Sequence, residues 1–397
     1  MVVEVRYKKS QLGNIPEDWD LDFIENHVRI TTGSKNTQDR KDDGEYPFFV
    51  RSQTVERIDS YSYEGEAVLT AGDGVGTGKV FHYIQGKFDA HQRVYRMSDF
   101  SRRINGFYFY LYFSNHFYSR IMQMTAKSSV DSVRREMIAK MLIPLPEIEE
   151  QIVIAEVLSD AGALIESLEE LIEKKSQIKQ GAMQELLTGK KRLPGFSEEW
   201  QVKTWGDVIL SCSSGATPYR GRPEFYNGSI KWITSGELNY CVINDTIEHI
   251  SKDAVERTNL KVHPVGTFLM AITGLEAAGT RGSCGIVGSP AATNQSCMAI
   301  YPSSELLTEY LYHYYVKFGD ELALKYCQGT KQQSYTAQLI RILPITLPPT
   351  TEEQKAISDL LSDLDTELTT LEIKLTKARQ IKQGMMQELL TGKIRLV

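Results

Sequence analysis

The sequence predicts an α+β protein with two mixed α/β domains separated by two long antiparallel helices, which form a coiled coil with pseudo-twofold symmetry. Three observations predict this fold. One segment of the chain occurs twice, apolar residues recur at helical spacing before each copy, and the intervening segments carry short strand-like runs. The predicted domains are 1–145 and 195–347, and the predicted helical segments are 146–194 and 348–397.

The repeat organises the whole chain. Residues 177–193 read QIKQGAMQELLTGKKRL and residues 380–396 read QIKQGMMQELLTGKIRL, so the copies differ at only two of 17 positions. Weaker pairs precede them, among which Ala90-His91-Gln92 corresponds to Thr293-Asn294-Gln295. Because internal repeats reflect repeated structure, the order is variable domain, helix, variable domain, helix.

Each helical segment carries apolar residues at alternating spacings of three and four, the pattern of a two-stranded coiled coil. Pro146 and Pro348 suit the helix starts, and Gly189 and Gly392 suit the exits. The first helix would span about 55 Å at 1.5 Å per residue. The second must run back antiparallel if the two copies are equivalent. The predicted seam and partner-binding residues are Leu158, Ile165, Leu168, Ile172, Leu361, Leu364, Leu368, Leu371 and Leu375.

The variable segments are rich in Gly, Thr, Ser, Tyr and Val, and they predict irregular mixed sheets. Strand-like runs include 66–70, 79–83 and 93–97. Two aromatic runs, 107–113 and 310–315, occupy equivalent places. Their helical setting favours core packing over a base-stacking platform. The four tryptophans are also predicted to lie in the core.

Composition excludes several classes of protein. Hydrophobic residues make up 41% and charged residues 24% of 397, which is typical of a globular protein of two or three domains. The chain has no apolar run of membrane-spanning length and no apolar core of a signal peptide near its start, so we expect a cytoplasmic protein. The five cysteines form no C-x-x-C pair, which favours reduced thiols in the core, without a metal site.

The sequence lacks the motifs of nucleotide-dependent enzymes. The segment 73–79 resembles a phosphate-binding loop, but Asp73 and Val80 replace the glycine and the hydroxyl that this motif needs. The one Pro-Pro pair lacks the flanking residues of a base-flipping methyltransferase loop. We therefore expect no cofactor and no catalytic residue.

The repeated motifs resemble the specificity subunits of type I restriction–modification enzymes. The motifs are Leu-Pro followed by Glu-Glu-Gln, at 145–151 and 347–354, and Gln-Glu-Leu-Leu-Thr-Gly-Lys at 184–190 and 387–393. The resemblance implies that each variable domain is a target recognition domain for one half of a bipartite, asymmetric DNA site. It also implies a non-catalytic chain whose partners are double-stranded DNA, two adenine methyltransferase subunits and motor-nuclease subunits.

Base readout needs polar side chains presented from loops, and equivalent loops of the two domains are expected to face DNA. In the first domain the candidates are Lys35, Asn36, Arg51, Gln53, Lys79, Gln92, Arg93, Lys127 and Ser128. In the second domain they are Arg220, Arg281, Asn294, Gln295, Thr330, Lys331 and Gln332. Solvated turns are the alternative for these loops, and Gln92 and Gln295 have local backbone as alternative partners.

The net charge of −6 resides mostly in the helical segments, so the variable segments are nearly neutral. Since phosphate neutralisation supplies most non-specific affinity, the isolated chain should bind DNA weakly. Two other functions stay open at this point. The first is an adaptor that spaces two protein- or glycan-binding domains, and the second is a self-sufficient methyltransferase or nuclease.

Overall fold

The computed structural model describes residues 6–124, 132–275, 280–327 and 333–396. The chain forms two units. Unit 1 comprises Met1–Glu169 and Ile373–Val397, and unit 2 comprises Glu170–Glu372. Each unit therefore contains part of both long helices.

Unit 1 is built around a six-stranded sheet with the order β4-β9-β7-β8-β5-β6, accompanied by the two-stranded pairs β1-β2 and β10-β3. Its elements are β1 (Tyr7–Ser10), β2 (Gly13–Pro16), β3 (Asp20–Phe23), β4 (Arg29–Thr32), β5 (Tyr46–Phe49), β6 (Glu56–Ile58), β7 (Tyr63–Ala71), β8 (Phe81–Ala90), β9 (Val94–Ser98), α1 (Gly106–Met124), α2 (Arg135–Ala139) and β10 (Leu142–Leu145).

The core of unit 1 lies between this sheet and helix α1. The aromatic run predicted to be core is helical, and Tyr108, Phe109, Phe113 and Phe117 are buried. Phe81 at the start of β8 packs edge-on against Phe113, with ring centroids 5.6 Å apart. This burial confirms core packing for most of the run, in which only Phe107 and Tyr110 are half-buried.

Unit 2 has a five-stranded sheet, β12-β19-β16-β17-β14, a three-stranded sheet, β15-β13-β18, and the pair β11-β20. Its elements are β11 (Gln201–Thr204), α4 (Trp205–Val208), β12 (Ile209–Ser214), β13 (Ile230–Ile233), β14 (Cys241–Ile243), β15 (Glu248–Ile250), α5 (Lys252–Thr258), β16 (Phe268–Ala271), β17 (Cys284–Val287), β18 (Ala291–Thr293), β19 (Cys297–Pro302), α6 (Thr308–Tyr326), α7 (Ala337–Arg341) and β20 (Pro344–Leu347).

The core of unit 2 repeats the arrangement, with aromatic residues of α6 against the larger sheet. Tyr315 packs against Trp205 and Phe268 with centroids 5.7 Å from each. Of the four tryptophans predicted to be core, Trp19, Trp205 and Trp232 are buried. The prediction was wrong in part for the fourth, since Trp200 is half-buried beside an arginine.

The cysteines only partly occupy the predicted core positions. Cys284 and Cys297 are buried, and burial raises the pKa of both thiols. Cys212 and Cys327 are half-buried and Cys241 is exposed, so the core assignment was wrong for Cys241. All five are free thiols.

The two long helices are α3 (Ile148–Leu186) and α8 (Thr351–Leu389), each of 39 residues. Glutamates occupy the first turn of both, where the helix dipole favours negative charge. Gly189 and Gly392 follow the helix ends at φ +70°, a left-handed conformation that favours glycine.

Within each unit the segments of α3 and α8 pack with opposite chain directions. In unit 1, Glu169 pairs with Arg379 at 2.5 Å, and the core around Leu158 includes Leu389. In unit 2, Lys175 pairs with Glu367 at 2.7 Å, and Leu186 shares a core with Leu361. Successive residues along α3 thus contact residues that come progressively earlier in α8.

A buried glutamate fixes the start of each long helix. Arg395 donates to Glu150 from Nε at 2.6 Å and from Nη2 at 2.8 Å. Arg192 does the same to Glu353, at 2.6 and 2.7 Å. The glutamate carboxylates are almost fully buried, and a tryptophan indole donates to each of them.

The next residue in each helix, a glutamine, ties the helix start to the loop that precedes the aromatic helix of the same unit. Gln151 accepts from the backbone N of Asn105 and donates to the backbone O of Arg103, both at 2.9 Å. Gln354 accepts from Leu307 at 2.9 Å and donates to Glu305 at 2.8 Å. The repeated Glu-Gln dipeptide therefore holds each helix start in two ways. The glutamate binds an arginine, and the glutamine binds the loop backbone.

No helix in the described ranges is both long and apolar enough to cross a membrane.

Buried histidines make the stability of unit 2 sensitive to pH. His263 is buried, with Nδ1 2.6 Å from the Tyr301 hydroxyl and Nε2 3.2 Å from the Thr293 hydroxyl. Burial, assisted by Lys261, lowers the pKa of His263 to about 4. The unfolded chain, with an ordinary pKa of about 6.5, therefore binds more protons than the folded chain as the pH falls below that value.

We expect His263 to contribute a loss of about 2 kcal/mol in the free energy of unfolding of unit 2 between pH 7 and pH 5. In the variant H263Q, the free energy of unfolding should fall by about 2 kcal/mol less than in the wild type between pH 7 and pH 5. Denaturant titrations followed by tryptophan fluorescence would measure this difference. The matched control Q201A, at an exposed glutamine of the same unit, removes no titratable group and should keep the wild-type slope. An unchanged slope in H263Q would contradict the assignment.

Candidate nucleic-acid interface

Three of the predicted loops of unit 1 meet at one end of its large sheet. The backbone N of Gln92 donates to the O of Lys35 at 2.8 Å, and the N of Lys35 donates to the O of Ala90 at 3.2 Å. His91, in the same turn, donates from its N to the O of Phe49 at 2.9 Å, just before Arg51. The loops after β4, β5 and β8 are thereby joined.

Unit 2 builds the same framework from different residues. Asn294 donates to the O of Ile233 at 2.9 Å, as His91 does to Phe49. The side chain of Asn294 accepts from the backbone N of Ser296 at 3.0 Å, and the Nδ1 of His91 accepts from the N of Arg93 at 3.0 Å. The weak sequence pairing of these turns therefore reflects a shared structure.

A glycine allows the first loop to approach this turn in both units. A Cβ on Gly33 would lie 2.0 Å from the O of Ala90, and one on Gly215 would lie 1.8 Å from the O of Thr293. Such distances are far below van der Waals contact. Any side chain at these positions would push the loop away from the strand end.

Gln92 and Gln295 contact the first loop through their side chains. Nε2 of Gln92 donates to Oδ1 of Asn36 at 2.7 Å, and the Thr217 hydroxyl donates to Oε1 of Gln295 at 2.5 Å. Both glutamines are exposed. In each unit this hydrogen bond holds the accessible amide group of a glutamine at an equivalent place. The partner of that amide group is a side chain of the first loop and not the local backbone.

The glycine-rich loop after β7 connects to this framework at one end. Gly72 donates to the O of Arg93 and accepts from Val133, both at 2.7 Å. In unit 2, Ile272 donates to Ser296 and accepts from Tyr335, both at 2.9 Å. The loop of unit 1 leads into strand β8, whereas a phosphate-binding loop leads into a helix, so the structure agrees with the exclusion of that motif.

The far end of the same loop lies against the aromatic helix. Lys79 places Nζ 5.7 Å from the centroid of the Tyr118 ring on α1. Arg281 pairs through Nε with Asp320 of α6 at 2.8 Å. The structure does not place these two basic residues with Gln92 and Gln295.

Arg51 and Arg93 face a single carboxylate that the sequence analysis did not select. Nη1 of Arg51 lies 2.9 Å from Oδ1 of Asp73, and Nε of Arg93 lies 3.6 Å from Oδ2. Asp73 stands out in the sequence only as an acidic residue in a glycine-rich loop. Its two partners come from other loops, so no local pattern could reveal them.

Lys35 and Arg220 also have acidic neighbours. Nζ of Lys35 lies 3.9 Å from the buried carboxylate of Asp89, which accepts from Ser60 and Ser62. Arg220 donates to both oxygens of Glu248, at 2.5 and 2.8 Å, and these hydrogen bonds lower the pKa of Glu248. The cations are therefore oriented by carboxylates, which limits the positive field of the surface.

Two further features complete the candidate set. Gln53 is exposed in the loop after β5. Burial first, and then the charge of Arg51, lowers the pKa of His91, so its ring stays neutral near pH 7 and supports the turn as a hydrogen-bond acceptor. The candidates Lys127, Ser128, Thr330, Lys331 and Gln332 lie outside the described residues.

The predicted seam residues of the helices are buried or half-buried. Leu158, Leu361 and Leu371 are buried. The half-buried ones are Ile165, Leu168, Ile172, Leu364, Leu368 and Leu375. Within the described parts of the chain, no group of three or more histidine, cysteine or acidic side chains is placed to hold a metal ion.

Comparisons with known proteins point to one family. The family described as "Type I restriction modification DNA specificity domain" matches residues 16–180 and again residues 197–381. The type I restriction enzyme MjaVIII specificity subunit of Methanocaldococcus jannaschii is 25% identical over 424 residues, covering 99% of this chain and 97% of that protein. The EcoDI specificity subunit of Escherichia coli is 30% identical over 176 residues, covering 44% and 38%.

Solved structures share the fold. The S subunit of a type I restriction-modification system from M. genitalium superposes with a TM-score of 0.67 at 15% identity, covering 97% of this chain and 99% of that one. A chain from a structure described as showing complex assembly and conformational transition of the type I R-M system gives 0.53 at 14% identity, covering 96% and 99%.

The glycine contacts predict that neither loop tolerates a methyl group. G33A and G215A should each lower the free energy of unfolding of their unit by about 1–3 kcal/mol, because the added Cβ displaces the backbone. The controls G181A and G384A, on long helices with open space around the Cβ, should be neutral or stabilising by up to about 1 kcal/mol. Denaturant titration would measure both, and equal effects at all four positions would refute the close contact.

Proposed function

Because this chain belongs to the family of type I restriction–modification DNA specificity proteins, we propose that its two units read the two halves of a bipartite DNA site. It is a sequence-specificity subunit. The residues proposed to face DNA in unit 1 are Lys35, Asn36, Arg51, Gln53, Gln92 and Arg93. Those proposed in unit 2 are Arg220, Asn294 and Gln295.

The observation that carries the proposal is the loop framework common to both units. Each unit uses one glycine, one glutamine and backbone hydrogen bonds to an equivalent turn to join three loops, while the exposed side chains differ. Sequence is read by polar side chains that reach base edges, so a constant framework with variable tips suits two different half-sites. The proposed site is therefore asymmetric.

We assign residues 1–145 and 195–347 to the two recognition domains, and residues 146–194 and 348–397 to the helical spacer. The spacer is proposed to be an antiparallel coiled coil related by a pseudo-twofold axis. The interhelical ion pairs and the burial of the seam leucines support this assignment. At about 55 Å, a helix of this length corresponds to about 16 base pairs at 3.4 Å each.

The chain is proposed to act through partners and to carry no catalytic residue of its own. Two adenine methyltransferase subunits would be directed to the site, with motor-nuclease subunits in the complete assembly. Because the basic residues proposed above to face DNA are paired with carboxylates, the chain alone should have little non-specific affinity for DNA. The methyltransferases would supply the remaining phosphate contacts and the flipping of adenine.

The test is genome-wide adenine methylation in a host that carries the partner methyltransferase, with and without this chain. We expect a gapped, asymmetric motif that appears only when the chain is present. An active methyltransferase that yields no new motif would contradict the proposal and favour the adaptor function. In that case, binding by the chain should be insensitive to salt, unlike binding to DNA.

A further inference from the structure

Arg51, Asp73 and Arg93 form a charged cluster among the loops of unit 1. Its residues come from three loops, after β5, β7 and β8, and they converge on one carboxylate. Asp73 is the least exposed, at 27% of its side chain, against 45% for Arg51 and 66% for Arg93. The side chain of Asp73 is thus less accessible than those of the two arginines.

The backbone around the cluster is held tightly. A Cβ on Gly72 would lie 2.8 Å from the O of Arg93, and one on Gly76 would lie 2.5 Å from the O of Arg51. The ring of His91 accepts from the backbone N of Arg93. Because the loops are locked to one another, both guanidinium groups start from oriented positions, which lowers the entropy cost of binding.

The position of the carboxylate indicates which DNA group the arginines contact. Asp73 offsets the charge of one of the two arginines, so the cluster attracts a phosphate less strongly than two unpaired guanidinium groups would. A base edge carries no net charge, so its binding depends on hydrogen bonds and loses little from this offset. Guanine offers N7 and O6 in the major groove, the pair of acceptors that an arginine fork matches.

Arg93 has the free donors for this contact. Its Nε faces Asp73, and within the described residues its terminal nitrogens donate to no group. Arg51 donates to the same carboxylate at the shorter distance of 2.9 Å and neutralises it. Arg93 is therefore the reader, and Asp73 and Arg51 are positioning residues.

Unit 2 has hydroxyl groups at the equivalent places. Ser235 follows β13 as Arg51 follows β5, and Ser296 occupies the turn position of Arg93. Thr273 bridges to Ser334 as Asp73 bridges to Ser132. The charged cluster is thus confined to one of the two units.

We propose that Arg93, oriented by Asp73 and Arg51, reads a guanine in the half-site of unit 1, and that unit 2 lacks this contact. The inference rests on the proposed function, and it assigns a base to one side chain.

The test uses the chain assembled with its methyltransferase partners, with the methylated motif as the readout. R93A should raise methylation of sites with another base at one guanine position by about ten- to hundredfold relative to the wild-type site. R93K should relax the same position, because lysine keeps the charge but lacks the fork. The other half of the motif should be unchanged.

D73N tests the positioning role and should weaken discrimination at that same guanine. The matched control R102A, at an exposed arginine after β9, should keep the wild-type motif. If R93A and R93K abolish methylation altogether, D73N becomes the deciding variant. Discrimination at that guanine equal to the wild type in D73N would then overturn the proposal.

Two further results would overturn the inference. The first is a uniform loss of methylation in R93A with a wild-type motif in R93K, which is the behaviour of a phosphate contact. The second is a motif without guanine in the half-site affected by these variants. Both differ from failure of the proposed function itself, in which the wild-type chain would yield no gapped motif.

Discussion

The structure depends on a buried ion pair that closes each unit with a distant part of the chain. Glu150 at the start of α3 is bound by Arg395 beyond the end of α8, and Glu353 at the start of α8 is bound by Arg192 beyond the end of α3. Removing one partner of such a pair leaves a buried charge and typically costs about 3–5 kcal/mol. Neither unit is therefore complete without segments that lie about 160 to 245 residues apart in the chain.

The ion pair stabilises a constant part of each unit, which carries loops that vary. The helix starts, the aromatic helix and the strand ends form a fixed body, to which Gln151 and Gln354 add identical backbone contacts. The loops above it share glycine and glutamine positions but differ in charge, with Arg51, Asp73 and Arg93 in unit 1 opposed to hydroxyl groups in unit 2. Recognition can therefore change at the loop tips without disturbing the core.

The sequence predicted the helices well because their information is local. Apolar residues at helical spacing, such as those that begin with Leu158 and Leu361, predict each helix from its own segment. Gly189 and Gly392 predict where the helices end. The equivalence of Gln92 and Gln295 could also be detected in the sequence, because the turn that carries each of them occurs in both domains. Asp73 was missed, since its role arises only when three loops fold together. Lys79 and Arg281 were grouped with the glutamines by loop membership, although the far end of that loop lies against a helix.

The central claim is that each unit reads one half of the DNA site independently. The most direct measurement exchanges residues 195–347 for the corresponding segment of a relative with a different specificity and determines the methylated motif of the assembled complex. Our account predicts that one half of the motif changes to that of the donor while the other half is retained. A change in both halves would contradict modular recognition by the two loop frameworks.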